Sequence, residues 1–384
     1  MKKYSFMLVL LFLSMLTACG IIGSEPVLES NENETPLVPI VVENEAREIT
    51  FDVQTARDFN VTPADHGYIG VALIEQLNDE FPNRLAFSNR ELETAEWLVA
   101  TLLEMGFDPA QIQTQTFHID TPTSSWWGRP QWMIDMYAEM GYYDGLTRID
   151  SSQNVILTLP GRSDETIIMG AHYDGVGNPG VSDNASGTVL LLENAYRMQH
   201  VDHYYTLQYV FFGAEEVGLV GSFYFADQMT DEAIENLVLM INADVIMDGP
   251  DLIYAIGYLD DVSDLSIEIL WESPDISQNA TSTAIKSLAE GLNEHHGTGL
   301  ISLPHALLLP SDQLAFLSFG RPVMVFYATH PVVYPETFIG DVLHTPDDNL
   351  DFIMENHPGR IERALLEFGL FLEAVTTSDG LMIH

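Results

Sequence analysis

The chain has 384 residues, 46% of them hydrophobic and 18% charged, which excludes intrinsic disorder of the whole, because disordered chains carry too little apolar surface to offset the entropy of folding. Fourteen Lys and Arg stand against 57 Asp and Glu, a formal net charge of −43, and this argues against nucleic acid as a partner, since phosphate binding needs a basic footprint. The carboxylate excess gives a self-repelling, soluble surface; adaptation to high salt and loose binding of divalent cations are alternatives that composition does not separate.

Lys2 and Lys3 precede an apolar run over 6–16, whose 11 residues fall short of the roughly 20 needed to cross a bilayer as a helix. A basic start with a short apolar run predicts a secretory signal over 1–18. The run ends Leu16-Thr17-Ala18-Cys19, which resembles the lipobox of bacterial lipoproteins. The resemblance implies cleavage before Cys19, lipid on its thiol, and a protein anchored to a membrane of the bacterial cell envelope. An ordinary signal peptide with a chance cysteine is the alternative. Cys19 is the single cysteine, so no disulfide is expected. Residues 19–48 carry Glu25, Glu29, Glu32, Glu34, Glu43 and Glu45 with Pro26, Pro36 and Pro39, the composition of a solvated acidic tether. Residues 49–384 are expected to form one domain.

Ala95, Leu98, Leu102 and Met105 recur at helical spacing, and Gly106 follows as a stop. The stretch 121–152 is rich in aromatics, among them Trp126, Trp127, Trp132, Tyr137, Tyr142 and Tyr143, without a clear period. It reads as a loop-rich insertion with room for one helix, its aromatics serving local packing or, alternatively, a cleft wall. Strand-like runs at 154–159, 166–170, 207–212, 237–243 and 322–327 then alternate with helix-like stretches at 185–198, 219–228, 281–292 and 313–319. Ile361, Leu365, Phe368 and Leu372 mark a C-terminal helix. This alternation predicts an α/β fold, with a mixed, mainly parallel central sheet flanked by helices on both faces. In such sheets the ligand sits beyond the carboxyl ends of the strands.

Five segments that follow apolar runs carry imidazoles or carboxylates. His172 and Asp174 lie two apart in Gly170-Ala171-His172-Tyr173-Asp174-Gly175, so in extended chain they share a face, and Asp174 is placed to orient the imidazole. Asp183 opens a helix in Ser182-Asp183-Asn184-Ala185-Ser186-Gly187, where an N-cap is the plain alternative. Glu215 and Glu216 follow Phe211-Phe212-Gly213-Ala214, and two adjacent buried acids repel one another unless a cation or a proton is present. Asp244 ends Met240-Ile241-Asn242-Ala243-Asp244, and His344 opens His344-Thr345-Pro346-Asp347-Asp348. Oxygen and nitrogen donors without cysteine suit a catalytic zinc site with open positions. The match of 175–180 to G-x-G-x-x-G does not support a dinucleotide site, because Asp183 would occupy the helix start where a pyrophosphate needs positive potential.

The order His-x-Asp, Ser-Asp-Asn-Ala-Ser-Gly, Glu-Glu, Asn-x-Asp and His-Thr-Pro-Asp-Asp resembles the M28 family of di-zinc aminopeptidases over roughly 85–375. The resemblance implies a zinc-exopeptidase-like fold and two zinc ions. His172 and Asp244 would hold one ion, Glu216 and His344 the other, and Asp183 would bridge them. It also implies Glu215 as general base, Asp174 as the carboxylate behind His172, and peptide substrates with a free N-terminus. Residues 311–322 resemble a family segment near the cleft, to which no role is assigned. The family usually reads Asn-x-Asp-Met-x-Gly where this chain has Asn242-Ala243-Asp244-Val245-Ile246-Met247, so a different pocket wall is expected there. Another di-zinc amidohydrolase (a carboxypeptidase or deacylase) and a non-catalytic surface receptor on the same fold stay open. A single-zinc cyclase fits less well, because all five ligand positions are filled.

Overall fold

Apolar runs bounded by polar punctuation become strands and helices in a fixed alternation. The computed structural model describes residues 66–125, 130–260, 276–330, 340–379 and 381. The predicted signal, Cys19, the tether, Trp126 and Trp127 lie outside the described residues. In chain order the main elements are α1 (Tyr68–Glu80), α2 (Asn89–Glu104), β1 (Ile112–His118), α3 (Gln131–Glu139), β2 (Ser151–Leu159), β3 (Thr166–His172), α4 (Ser186–Met198), β4 (Thr206–Phe212), α5 (Val220–Asp227), β5 (Leu237–Ala243), β6 (Asp251–Gly257), α6 (Ala280–His296), β7 (Leu300–Ser302), β8 (Val323–Thr329), α7 (Leu350–Asn356) and α8 (Arg360–Thr376).

Among the described residues the strands form one eight-stranded sheet in the order β1-β2-β4-β3-β5-β8-β6-β7. Its centre, β4-β3-β5-β8, is parallel. Antiparallel β2 and β1 extend one side, and β6, antiparallel to β8, extends the other with β7 parallel beyond it. The central strands are predominantly apolar because both faces are covered, as parallel sheets require. Within β3 the side chains still divide by the two-residue period: Ile167, Met169 and Ala171 enter one core beside Val189 and Leu192 of α4 and Leu365, Phe368 and Leu372 of α8. Ile168 enters the other, beside Phe223 and Phe225 of α5 and Phe316.

Helix α2 begins where Ser88 Oγ accepts the Glu91 N–H, buries Ala95, Leu98 and Leu102, and gives way at Gly106 with φ 94°. The stretch predicted helical at 313–319 is helical only over Leu314–Leu317, and Gly320 with φ 61° reverses the chain before β8. Strands β1, β6 and β7 and helices α1 and α7 have no counterpart among the predicted elements. The first turn of α1 is tied to α4 by Glu193, whose carboxylate accepts the N–H groups of Gly67 at 2.6 Å and Gly70 at 2.7 Å.

Candidate metal centre

The parallel strands end level with one another: His172 of β3 pairs with Phe212 of β4, and Gly170 pairs with Asn242 of β5. The residues that follow, Asp174, Glu215, Glu216 and Asp244, are therefore delivered to one edge of the sheet. Asp183 arrives on an irregular turn, Val181–Ala185, that feeds α4 and contains a cis Asp183-Asn184 peptide bond. That turn seats closely on β5. Asn184 Nδ2 donates to the Ala243 carbonyl at 2.9 Å, and Gly187 leaves no room for a Cβ against the same carbonyl. His344 comes from the loop before α7 with φ 54°.

These side chains converge. His172 Nε2 lies 3.1 Å from Asp183 Oδ1 and 3.2 Å from Asp244 Oδ1. His344 Nε2 lies 3.0 Å from Asp183 Oδ2 and 3.3 Å from Glu216 Oε2. The two oxygens of Asp183 thus face two separate imidazole–carboxylate sets. Each Nε2 faces two carboxylate oxygens, more acceptors than one ring N–H can serve. Glu216 Oε1 is buried without a hydrogen-bond partner. Three sets of potential ligand atoms each fall within 4.8 Å: His172, Asp183 and Asp244; Asp183, Glu216 and His344; and His172, Glu215 and Glu216. A buried, cysteine-free surplus of acceptors of this kind fits divalent metal, and zinc among the candidates.

Asp174 Oδ1 lies 3.5 Å from His172 Nδ1, too long for a hydrogen bond, and that ring nitrogen has no partner. The firmer ties of Asp174 run to the main chain, where it accepts the N–H groups of Glu215 at 3.0 Å and Glu216 at 3.2 Å. Two further buried acids grip backbone in the same way. Asp348 accepts the N–H groups of Ser182 at 2.6 Å and Asp183 at 3.0 Å. Asp248 accepts those of Val342 at 2.7 Å and Leu343 at 3.0 Å, just ahead of His344. Arg84, itself buried, donates to the carbonyls of Tyr173 at 2.8 Å, Pro179 at 2.6 Å and Gly180 at 2.8 Å, and so braces the loop between the first two motifs.

Charge and burial act against each other here. Burial alone would lower His172, but Asp244 and Glu215 override it and hold the imidazole well above its ordinary range. His344 is raised in the same manner, by Glu216 and Asp183. Asp183 is held below the ordinary carboxylate range: burial raises it, and hydrogen bonds from His172 and His344 lower it by more. Burial, then the Asp183 charge, pushes Glu216 up to about 7. Burial drives Glu215 well above its ordinary value against the opposing pull of His172, with Glu216, Asp312 and Asp244 adding to the rise.

All seven residues singled out by sequence between His172 and His344 are therefore neighbours in space. Arg84, Asp248 and the backbone role of Asp348 escape sequence reading, and the 311–313 segment, noted there without a role, finds its partner in Asn242. Asn242, two residues ahead of Asp244, donates through Nδ2 to Ser311 Oγ at 2.8 Å and Gln313 Oε1 at 2.9 Å. Asp312 between them is fully buried, and burial raises it to about 7. The spacing of Asp248 four residues after Asp244 across an apolar run was the available signal. Where the chain departs from Asn-x-Asp-Met-x-Gly, Val245 adopts φ 52°, a conformation that β-branched residues rarely accept. The aromatic stretch reaches the site as well: Tyr137 of α3 donates its hydroxyl to the Glu216 carbonyl at 3.0 Å, and Ser125 donates to the Gly218 carbonyl at 2.8 Å.

Residues 154–369 match peptidase family M28. A probable lipoprotein aminopeptidase LpqL of Mycobacterium tuberculosis is 34% identical over 103 residues, 26% of this chain and 21% of the relative. Aminopeptidase YwaD of Bacillus subtilis is 29% identical over 133 residues, 34% of this chain and 29% of the relative. The chain thus spans under a third of the length of these curated relatives. Among solved structures, BSAP, a zinc aminopeptidase from Bacillus subtilis, superposes with a TM-score of 0.60 at 17% identity, covering 87% of this chain and 97% of that one. A glutaminyl cyclase from an Acidobacteriales bacterium superposes with a TM-score of 0.55 at 21% identity, covering 82% and 95%. At such identities the likeness is one of fold, and it extends to enzymes of two chemistries.

Proposed function

The chain belongs to peptidase family M28, and from that membership we propose that it is a zinc-dependent aminopeptidase that removes N-terminal residues from peptides. The observation that carries the reading is the division of Asp183 between two imidazole–carboxylate sets, His172 with Asp244 and His344 with Glu216. One carboxylate facing two such sets favours a pair of ions over a single one. In this reading His172 and Asp244 would hold one zinc, Glu216 and His344 the other, and Asp183 would be shared between them.

A zinc pair so held supplies Lewis acidity for the scissile carbonyl and for a nucleophilic water near neutral pH. The rest falls to the protein. Glu215 accepts the proton of the attacking water and returns it to the leaving amine. Asp174 fixes the backbone of both glutamates and stands behind His172. The surrounding carboxylates offer a cationic substrate amine a favourable end-point, which makes a free N-terminus the recognised feature.

The N-terminal sequence adds a location. The run to Leu16-Thr17-Ala18-Cys19, together with the likeness to a relative named as a probable lipoprotein aminopeptidase, supports secretion and a lipid anchor on Cys19. Among the described residues no helix is long and apolar enough to cross a membrane.

The test is zinc stoichiometry on the purified full chain, joined to amino-acid arylamides and their N-blocked counterparts. Close to two zinc ions with hydrolysis of the free-amine substrates only is expected. Hydrolysis of blocked substrates would move the assignment to a deacylase or carboxypeptidase, and an inert, zinc-loaded protein would favour a receptor. Mass spectrometry of the same preparation reads the anchor, and an unmodified Cys19 rejects it.

A further inference from the structure

The turn after β4 carries Glu215 and Glu216. Glu216 Oε2 lies 3.3 Å from His344 Nε2, and potential ligand atoms of Glu215, Glu216 and His172 fall within 4.8 Å of one another. The main chain that delivers the pair is held in an unusual shape. The residue ahead of the pair, Ala214, has φ 56°, in the left-handed region that L side chains avoid. What holds it there is a carboxylate far away in sequence: Glu91 Oε1 accepts the Ala214 N–H at 2.9 Å across 123 positions. The next two N–H groups go to Asp174. Three consecutive amides are thus taken by two buried acids.

Glu91 stands in the first turn of α2 and is 1% exposed. Oε1 also accepts Ser152 Oγ–H at 2.7 Å, and Oε2 accepts the Phe87 N–H at 2.6 Å. Phe87 has φ 54°, so each carboxylate oxygen secures the N–H of a residue in left-handed backbone. Helix capping does not account for this. In a Ser-x-x-Glu box the glutamate returns to the N–H of its own cap residue. Here Ser88 caps the helix through the Glu91 N–H at 3.2 Å, while the Glu91 side chain reaches past it. Three donors, two of them backbone, compensate the burial of the carboxylate. An apolar side chain would fill this place in a core without that demand, so the site is explained by what the carboxylate holds.

We propose that Glu91 is a positioning residue of the Glu215–Glu216 turn, fixing Ala214 in left-handed backbone so that both glutamates are delivered to the site beside His172 and His344. The inference rests on the reading of Glu215 as the proton carrier. Glu91→Gln keeps the shape but presents one N–H donor pair toward an N–H it formerly accepted; Glu91→Ala removes every tie. In the zinc-loaded full chain either change should lower kcat by about 10- to 100-fold, with KM steady within about twofold, because small misplacements of a reacting group weigh on the chemical step. Amide exchange should quicken over 213–216 and stay unchanged in α6. Adding Ala214→Gly, which lifts the penalty on left-handed backbone, should restore part of the lost kcat.

The proposal is overturned by an unchanged kcat, by a double variant no better than the single, or by exchange that quickens uniformly as the whole fold loosens. Should the zinc-loaded wild-type protein hydrolyse no substrate, the aminopeptidase reading falls by itself. Localised exchange at 213–216 in the Glu91 variants would then still decide the clamp.

Discussion

Asp183 and Glu215 sit in one site and separate cleanly by variant. Asp183 gives one oxygen to each imidazole, so Asp183→Ala removes a ligand oxygen from both sets at once. Elemental analysis should then find both ions lost together with activity; two retained zinc ions would contradict the bridge. Glu215 is not in the ion-holding set of the proposed assignment, so Glu215→Gln should keep its zinc and lose about 10²- to 10⁴-fold in turnover, the usual contribution of a positioned base. Turnover near wild type would take that role from it. These residues were legible in sequence because metal chemistry demands particular side chains, and apolar strands placed them at predictable ends. The roles of the acids behind them were not. Asp248, Asp348 and Glu91 are tied to backbone N–H groups, and an amide partner leaves no letter in the sequence to match.

Elements were legible in proportion to how fully they are buried. The runs at 207–212 and 237–243 are apolar but for Gln208 and Asn242 because helices cover both faces, and they are β4 and β5. The edge strand β1, Ile112-Gln113-Thr114-Gln115-Thr116-Phe117-His118, buries only Phe117 and offers no apolar run. Helix α1 leans on neighbours for its capping, through Glu193 of α4. The same helices share a second clip. Glu373 of α8 receives Arg197 Nε of α4 at 2.6 Å and meets His66 Nε2 at 3.0 Å. The His66 hydrogen bond, with Arg197 and against partial burial, holds Glu373 down at about 2 from an ordinary 4.5. A depressed carboxylate stabilises the fold fully above its unfolded value and loses that contribution as pH falls through the folded one. Glu373→Gln should therefore lower Tm at pH 6 by about 1–3 °C, a modest figure because Glu373 is a third exposed. The gap between variant and wild type should narrow from pH 4.5 toward 2. A gap of constant size across that range would show that shape, not charge, makes the clip.

At the scale of the whole molecule, strand order is the least legible feature. Sequence neighbours β3 and β4 exchange places relative to β2, and β8 inserts between β5 and β6, arrangements set by crossovers and not by local periodicity. Charge, by contrast, is legible from composition alone, and the structure sharpens its consequence. Only 14 Lys and Arg oppose 57 acids, and several of those cations are already committed to partners: Arg84 to three loop carbonyls, Arg197 to Glu373, Arg360 to Asp341 and Arg363 to Glu367. Few remain to balance the surface, so the folded chain repels itself more than the expanded one does. Salt screens this repulsion, with the Debye length falling from about 30 Å at 0.01 M to about 3 Å at 1 M. Raising NaCl from about 0.01 M to 0.5 M should therefore raise Tm by a few degrees, on the order of 1–2 kcal/mol. Surface ion pairs such as Arg90–Glu93 weaken under the same screening, but exposed pairs contribute little, so the repulsion sets the sign. Measured on zinc-saturated protein, so that metal release does not enter, a flat or falling Tm would mean that the acidic surface is already neutralised by bound cations.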